Sequence, residues 1–264
     1  MSFYFRLLLI FMSFLFLFEG SAFLKSQRAR VENENKILVL NYHKIDNVNI
    51  SLSVPPAEFD KQMKYLKDND YHTITPDELY ASIEGREKLP ENPVLITFDD
   101  GYADNYTNAY PILKKYDFKA TIFVISSFVG NMDHYVTWDE VREMSENGIT
   151  NASHTVDHRS MTDLTDGQLK TQLEDSKAKI EEEIGKKVDY IAYPTGTYNL
   201  HIAEIVRDAG YKAAFTIKYG IVDASSNIYA LERIPIFQTE DTHKSFLERI
   251  RYAPSFESIG WIKN

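Results

Sequence analysis

The chain has 264 residues, 44% of them hydrophobic, which is enough for one large domain with a substantial core. Its 39 acidic against 29 basic residues leave a formal charge of −10, which argues against nucleic acid and polyanionic glycans as main partners and favours neutral or cationic ligands. There is no cysteine, so disulfides and thiolate chemistry are ruled out, and any metal must sit on His, Asp or Glu.

The N-terminus carries Arg6, an apolar run from Leu7 to Phe18, then Glu19 and the small residues Gly20, Ser21 and Ala22. That run is short for a membrane span, which needs about 20 apolar residues, and suits a signal-peptide core with cleavage after Ala22. An uncleaved anchor is the alternative. Either way, residues 1–22 are expected to engage the membrane or export machinery. The polar stretch 23–36 reads as a linker, and the domain from 37 to 264 is expected outside the cytoplasm, secreted or tethered to the cell surface.

From residue 37 onward, strand-like and helix-like segments alternate. "KILVLNYH" reads as a strand; Pro55 and Pro56 open a helix with Phe59, Met63 and Leu66 on one face. "YHTIT" is a short strand, and Thr75 before Pro76 opens a helix ending near Gly85. "PVLITF" is a strand, "AYPILKKY" a helix, "KATIFVI" a strand and "TWDEVREMSENG" a helix, followed by the short segment "ITNAS". Thr165 and Gln168 form a capping box for a long amphipathic helix that Gly185 terminates. "VDYIAYP", "HIAEIVRDAG" and "YKAAFTI" then read as strand, helix and strand. Such alternation predicts an α/β fold with parallel strands and outer helices, either a doubly wound sheet or a barrel, and in both the chemistry collects at strand C-termini.

Candidate groups stand at those ends. Asp99 and Asp100 follow "VLITF", His43 follows "ILVLNY", and Tyr193, Pro194 and Gly196 follow "VDYIA". Two adjacent carboxylates at the end of an apolar strand repel each other and call for a cation nearby. His154 and His158 in "SHTVDH" would lie about a turn apart if that segment is helical, close enough to share an ion. Two histidines and one carboxylate leave a metal ion an open position, and the second aspartate is then free to take a proton from bound water. Gly101 lets the chain turn away without covering the site. His72, His134, His201 and His243 lack a partner at a strand end and read as surface or packing residues.

"TFDDGY" at 97–102 and "SHTVDH" at 153–158, in that order and with "TWDEVREMSENG" ahead of the second, resemble the polysaccharide deacetylase (NodB-homology) family, carbohydrate esterase family 4. The resemblance spans about residues 37 to 240. It implies a distorted, incomplete (β/α) barrel that uses a divalent metal, zinc or else cobalt, nickel or iron, to remove acetyl groups from N-acetylated sugars. The chain is expected to be a monomer. By the same resemblance Asp99 is the general base, Asp100 the metal carboxylate, and His154 and His158 the metal imidazoles. Two later motifs depart from the common pattern. Tyr193 stands where many members have an arginine that orients the base, and "LERIPIF" lacks the late histidine that supplies the acid. The early "VLNYHKI" is similar to a subgroup acting on poly-β-1,6-N-acetylglucosamine, which implies His43 as the general acid; that subgroup often has a longer spacing between its two metal histidines. The Thr195 N–H is the expected oxyanion donor, and Tyr102 and Tyr193 are expected to line sugar subsites. Peptidoglycan N-acetylglucosamine and acetyl esters on xylan-like glycans are the alternative substrates.

Overall fold

The computed structural model describes residues 36–258. The expected leader or anchor (1–22) and all but the last residue of the linker (23–36) therefore lie outside the described residues, as do 259–264.

Eight parallel strands form the sheet: β1 (Leu38–Tyr42), β2 (His72–Thr73), β3 (Pro93–Phe98), β4 (Ala120–Val124), β5 (Ile149–Ser153), β6 (Tyr190–Ala192), β7 (Ala213–Tyr219) and β8 (Leu231–Pro235). Their order is β1-β8-β7-β6-β5-β4-β3-β2, and β1 also pairs with β3 from Leu38↔Val94 to Tyr42↔Phe98, which closes seven strands into a ring. The two-residue β2 pairs with Pro93 and Val94, on the edge of β3 that β4 takes over at Thr97 and Phe98. This is the incomplete (β/α) barrel the motifs implied, and the doubly wound alternative falls away.

Helices pack outside: α1 (Pro56–Asp68), α2 (Pro76–Ile83), α3 (Tyr110–Tyr116), α4 (Trp138–Glu146), α5 (Asp166–Ile184), α6 (Leu200–Asp208) and α7 (Thr242–Ser258). Among the described residues no helix is long and apolar enough to cross a membrane. Pro at N1 starts α1, and its buried Phe59, Met63 and Leu66, at i, i+4 and i+7, form the stripe the spacing predicts. Phe59 meets Tyr42 and Phe98 edge-on, with centroids 5.2 and 5.8 Å away, which seats α1 against β1 and β3. The Thr165–Gln168 capping box and the left-handed Gly185 bound α5 as expected.

Alternation along the strands then places the site. Val39, Leu95, Phe123, Ala152, Phe215 and Leu231 belong to one buried cluster inside the ring, while Leu40, Tyr42, Ile96, Phe98 and Ile122 belong to the cluster beneath the helices. Moving two residues up the same inward rows reaches Asn41 from Val39, Thr97 and then Asp99 from Leu95, His154 from Ala152, and Arg233 from Leu231. The barrel is apolar below and polar at its C-terminal mouth.

Candidate active site

Asp99 sits at that mouth, 1% exposed, in a clamp of donors. Arg233 Nη1 donates to its Oδ1 and Nη2 to its Oδ2, both at 2.7 Å, and Asn41 Nδ2 donates to Oδ2 at 3.0 Å. Arg233 is fully buried and is itself aimed by Nε donating to the Thr216 carbonyl at 2.7 Å and Nη1 to Thr97 Oγ1 at 3.2 Å. Burial alone would push the Asp99 carboxyl up, but the Arg233 charge, helped by His154 and by the guanidinium hydrogen bonds, holds it well below the usual carboxylate range. The guanidinium on Asp99 thus comes from β8, within the "LERIPIF" stretch, while Tyr193 stands ahead of the Pro-x-Gly turn.

One residue on, the chain turns left-handed. Asp100 has φ +73° and Gly101 φ +79°, and a Cβ on Gly101 would stand 3.0 Å from Val124 Cγ1. The turn sends Asp100 away from the Asp99 clamp and toward two imidazoles. Its Oδ1 lies 3.5 Å from His154 Nε2 and 3.4 Å from His158 Nε2, and the histidine rings are 4.8 Å apart between centroids. "SHTVDH" is not helical: "ITNAS" is β5 itself, and the chain then loops with Thr155 at φ +67° and His158 at φ +61°. The loop brings the rings together by other means. Gln172 Oε1 accepts from the Val156 and Asp157 amides, Thr155 Oγ1 from the His158 amide, and Ser153 Oγ from the Thr155 amide.

These three side chains fit a metal ion. The His–Asp separations exceed a normal N–H···O bond of about 2.7–3.2 Å, yet match the roughly 3.4 Å edge between two ligands that each sit about 2.1 Å from a tetrahedral ion. The ligand atoms of all three lie within 4.8 Å of one another. His154 Nδ1 is 2.8 Å from the Ala192 carbonyl, which can only accept, so Nδ1 carries the proton and Nε2 offers its lone pair toward Asp100. Burial pushes the His154 imidazole down against the pull of Asp99 and Asp100, which favours the neutral, ligating form.

His43 is half-buried just past the end of β1, level with Asp99, whose amide donates to the Tyr42 carbonyl at 2.9 Å. Its Nδ1 is buried without a partner, while its carbonyl accepts from Asn105 Nδ2 at 2.8 Å. Thr195 is exposed and left-handed (φ 58°, ψ 4°) at the tip of the Pro194–Gly196 turn, three residues past the carbonyl that fixes His154. Gly196 behind it is required: φ is +71° and a Cβ would stand 2.2 Å from Ile217 Cγ1.

The two tyrosines diverge. Tyr193 has no exposed surface, donates its hydroxyl to the Tyr229 carbonyl at 2.9 Å and stacks on Tyr198 at 5.0 Å, so its ring packs the wall and offers no face to a sugar. Tyr102 is partly exposed beside Asp100, stacked on Tyr135 at 5.1 Å, with Lys44 Nζ 5.0 Å from its centroid. Burial, then the Asp100 charge, raises its hydroxyl pKa, so it stays protonated. Arg233, Asn41 and Tyr135 were not singled out from the sequence. Arg233 had left a signal, since a lone arginine two residues from Leu231 on a strand-like run falls on the buried face.

Comparison with known proteins agrees with this geometry. The sequence pattern of the polysaccharide deacetylase family matches residues 86–214. YxkH of Bacillus subtilis is 40% identical over 207 residues, 78% of this chain and 74% of that protein. The poly-β-1,6-N-acetyl-D-glucosamine N-deacetylase of Staphylococcus aureus is 31% identical over 248 residues, covering 82% of this chain and 83% of its own length. Among solved structures, the Streptococcus pyogenes deacetylase PplD, in complex with acetate, aligns with a TM-score of 0.76 at 32% identity over 83% of this chain and 97% of that one. The chain belongs to the polysaccharide deacetylase family.

Proposed function

We propose that this chain is a metal-dependent hydrolase that removes N-acetyl groups from an extracellular N-acetylglucosamine polysaccharide, poly-β-1,6-N-acetylglucosamine, with residues 1–22 exporting or tethering it. The observation that carries the reading is the clamped Asp99 set one residue from the Asp100–His154–His158 triad; similarity to the S. aureus enzyme supports the substrate.

Asp100, His154 and His158 would hold the ion, with zinc favoured by two imidazoles and one carboxylate. A bound divalent ion supplies a polarised acetamide carbonyl and a more acidic water. Asp99, kept ionised by Arg233, takes the proton as the water oxygen attacks the carbonyl carbon. The Thr195 N–H donates to the carbonyl oxygen as it gains charge, and Gly196 holds that amide in place. His43 gives a proton to the nitrogen as the C–N bond breaks, releasing acetate and a free amine. Tyr102, protonated and half-exposed, forms part of the wall met by the sugar.

Two measurements test this. On a panel of β-1,6, β-1,4 and peptidoglycan oligomers, free amine should appear fastest from the β-1,6 series; release of alcohol from acetyl esters with no amine released would overturn the reaction class. Asp99→Asn should keep its metal and lose most turnover, whereas Asp100→Asn should lose both, and equal metal loss would contradict the division of roles.

A further inference from the structure

A carboxylate offers about four lone-pair positions, two on each oxygen. Oδ2 of Asp99 accepts from both Arg233 Nη2 and Asn41 Nδ2, at 2.7 and 3.0 Å, so both of its positions are filled. Among the described residues Oδ1 accepts only from Arg233 Nη1, at 2.7 Å, and keeps one open. The guanidinium fork treats the two oxygens alike, so Asn41 is what makes them unequal. Its setting is poor for a residue kept for stability. Asn41 is 1% exposed on the inward row above Val39, pairs in register with Thr97, and leaves its own Oδ1 buried without a partner. An apolar side chain of similar size would avoid that unmatched carbonyl. The other bond made by Nδ2, to the Tyr42 carbonyl, is long at 3.4 Å.

We propose that Asn41 is a positioning residue for deacetylation: by filling the second lone pair of Asp99 Oδ2, it leaves Oδ1 as the one oxygen able to take the nucleophile's proton and fixes the carboxylate for that transfer. The inference rests on Asp99 being the base. Arg233 anchors both oxygens of the carboxylate, and Asn41 chooses the oxygen that acts.

Two variants of the full chain separate positioning from packing. Asn41→Leu is similar in size and keeps water out; Asn41→Ala leaves room for a water that can donate to Oδ2 in place of the amide. In Asn41→Leu, kcat should fall about 10- to 100-fold, the loss expected for one hydrogen bond to a charged group, with KM and bound metal per chain unchanged. In Asn41→Ala the loss should be smaller, while its melting temperature falls below that of the leucine variant. Activity should therefore rank alanine above leucine and stability the reverse, whereas a purely structural role ranks both the same way. A leucine variant within twofold of the parent, activity that follows stability, or loss of metal would overturn the proposal. If the leucine variant does not fold, Asn41→Val, which also removes the donor and leaves less room for water than alanine, takes its place: lower kcat at unchanged KM and metal content supports the role, and unchanged kcat ends it. Asp99→Asn is measured alongside. Should it keep turnover, the base assignment itself is wrong; should it be inactive while Asn41→Leu is fully active, only the role of Asn41 is lost.

Discussion

Removing the guanidinium by Arg233→Met would leave the Asp99 carboxylate buried with Asn41 as its remaining donor. Four hydrogen bonds vanish, two to Asp99, one to Thr216 and one to Thr97, at a position with no access to water. Breaking a buried ion pair from one side costs about 3–5 kcal/mol, because the stranded charge keeps its desolvation penalty. For a domain of this size each kcal/mol moves the melting temperature by roughly 2–4 °C, so the variant should melt about 6–20 °C lower. Removing both charges should recover most of that loss, making Arg233→Met with Asp99→Asn more stable than Arg233→Met alone. The acid side of the stability curve gives a second signature. Asp99 has a depressed pKa in the fold, so its contribution is present above the unfolded value of about 3.9 and is lost as pH falls through the folded one. Arg233→Met should flatten that acid limb. The assay is thermal unfolding across pH with turnover measured in parallel. A single variant that melts within about 2 °C of the parent and stays active, or a double variant no better than the single, would refute the clamp.

The metal triad predicts that chelation abolishes turnover and zinc restores it, and that His154→Ala and His158→Ala each lower the metal bound per chain by direct elemental analysis; full-rate turnover with less than stoichiometric metal would end that reading. His154→Ala should also lower the melting temperature more than His158→Ala, since His154 is 2% exposed and anchored to the Ala192 carbonyl. His43→Ala should lose about 10²–10⁴-fold in kcat on the acetamide with metal retained, and recover much of that rate on an acetyl ester with a good leaving group; an equal loss on both substrates would rule out the acid role.

The parts legible in the sequence were those set by local periodicity and by where strands end. Inward and outward rows, the caps at Thr165 and Gly185 and the aspartate pair after "VLITF" depend on residues within a few positions of one another. Arg233 was hidden because its meaning comes from a partner 134 positions away. A period-2 reading of "LERIPIF" puts that arginine on a buried face but cannot say which carboxylate meets it. The helical route assumed for His154 and His158 failed because Thr155 and His158 adopt left-handed backbone, held by Gln172 and Ser153, contacts that no spacing rule encodes. Tyr193 misled for a related reason. It occupies the arginine position of the family pattern, but in this chain the guanidinium on Asp99 comes from β8, and the Tyr193 ring fills the wall.

The left-handed backbone at Asp100 limits what evolution or a designer can put there. Side chains with a Cβ lose about 1–2 kcal/mol in that region, and Asn and Asp meet it at the least cost after glycine because a short polar side chain can hydrogen-bond locally, although Thr155 and His158 adopt it here too. Glutamate would bring a carboxylate too, but on a longer side chain that meets the handedness penalty without the short local hydrogen bond, and asparagine accepts the backbone but surrenders the charge. Position 99 is filtered differently, by the fixed reach of a guanidinium on a distant strand. A library randomised at both positions and selected for turnover should therefore favour aspartate twice, at 99 for the guanidinium fork and at 100 for a short charged side chain on a left-handed turn.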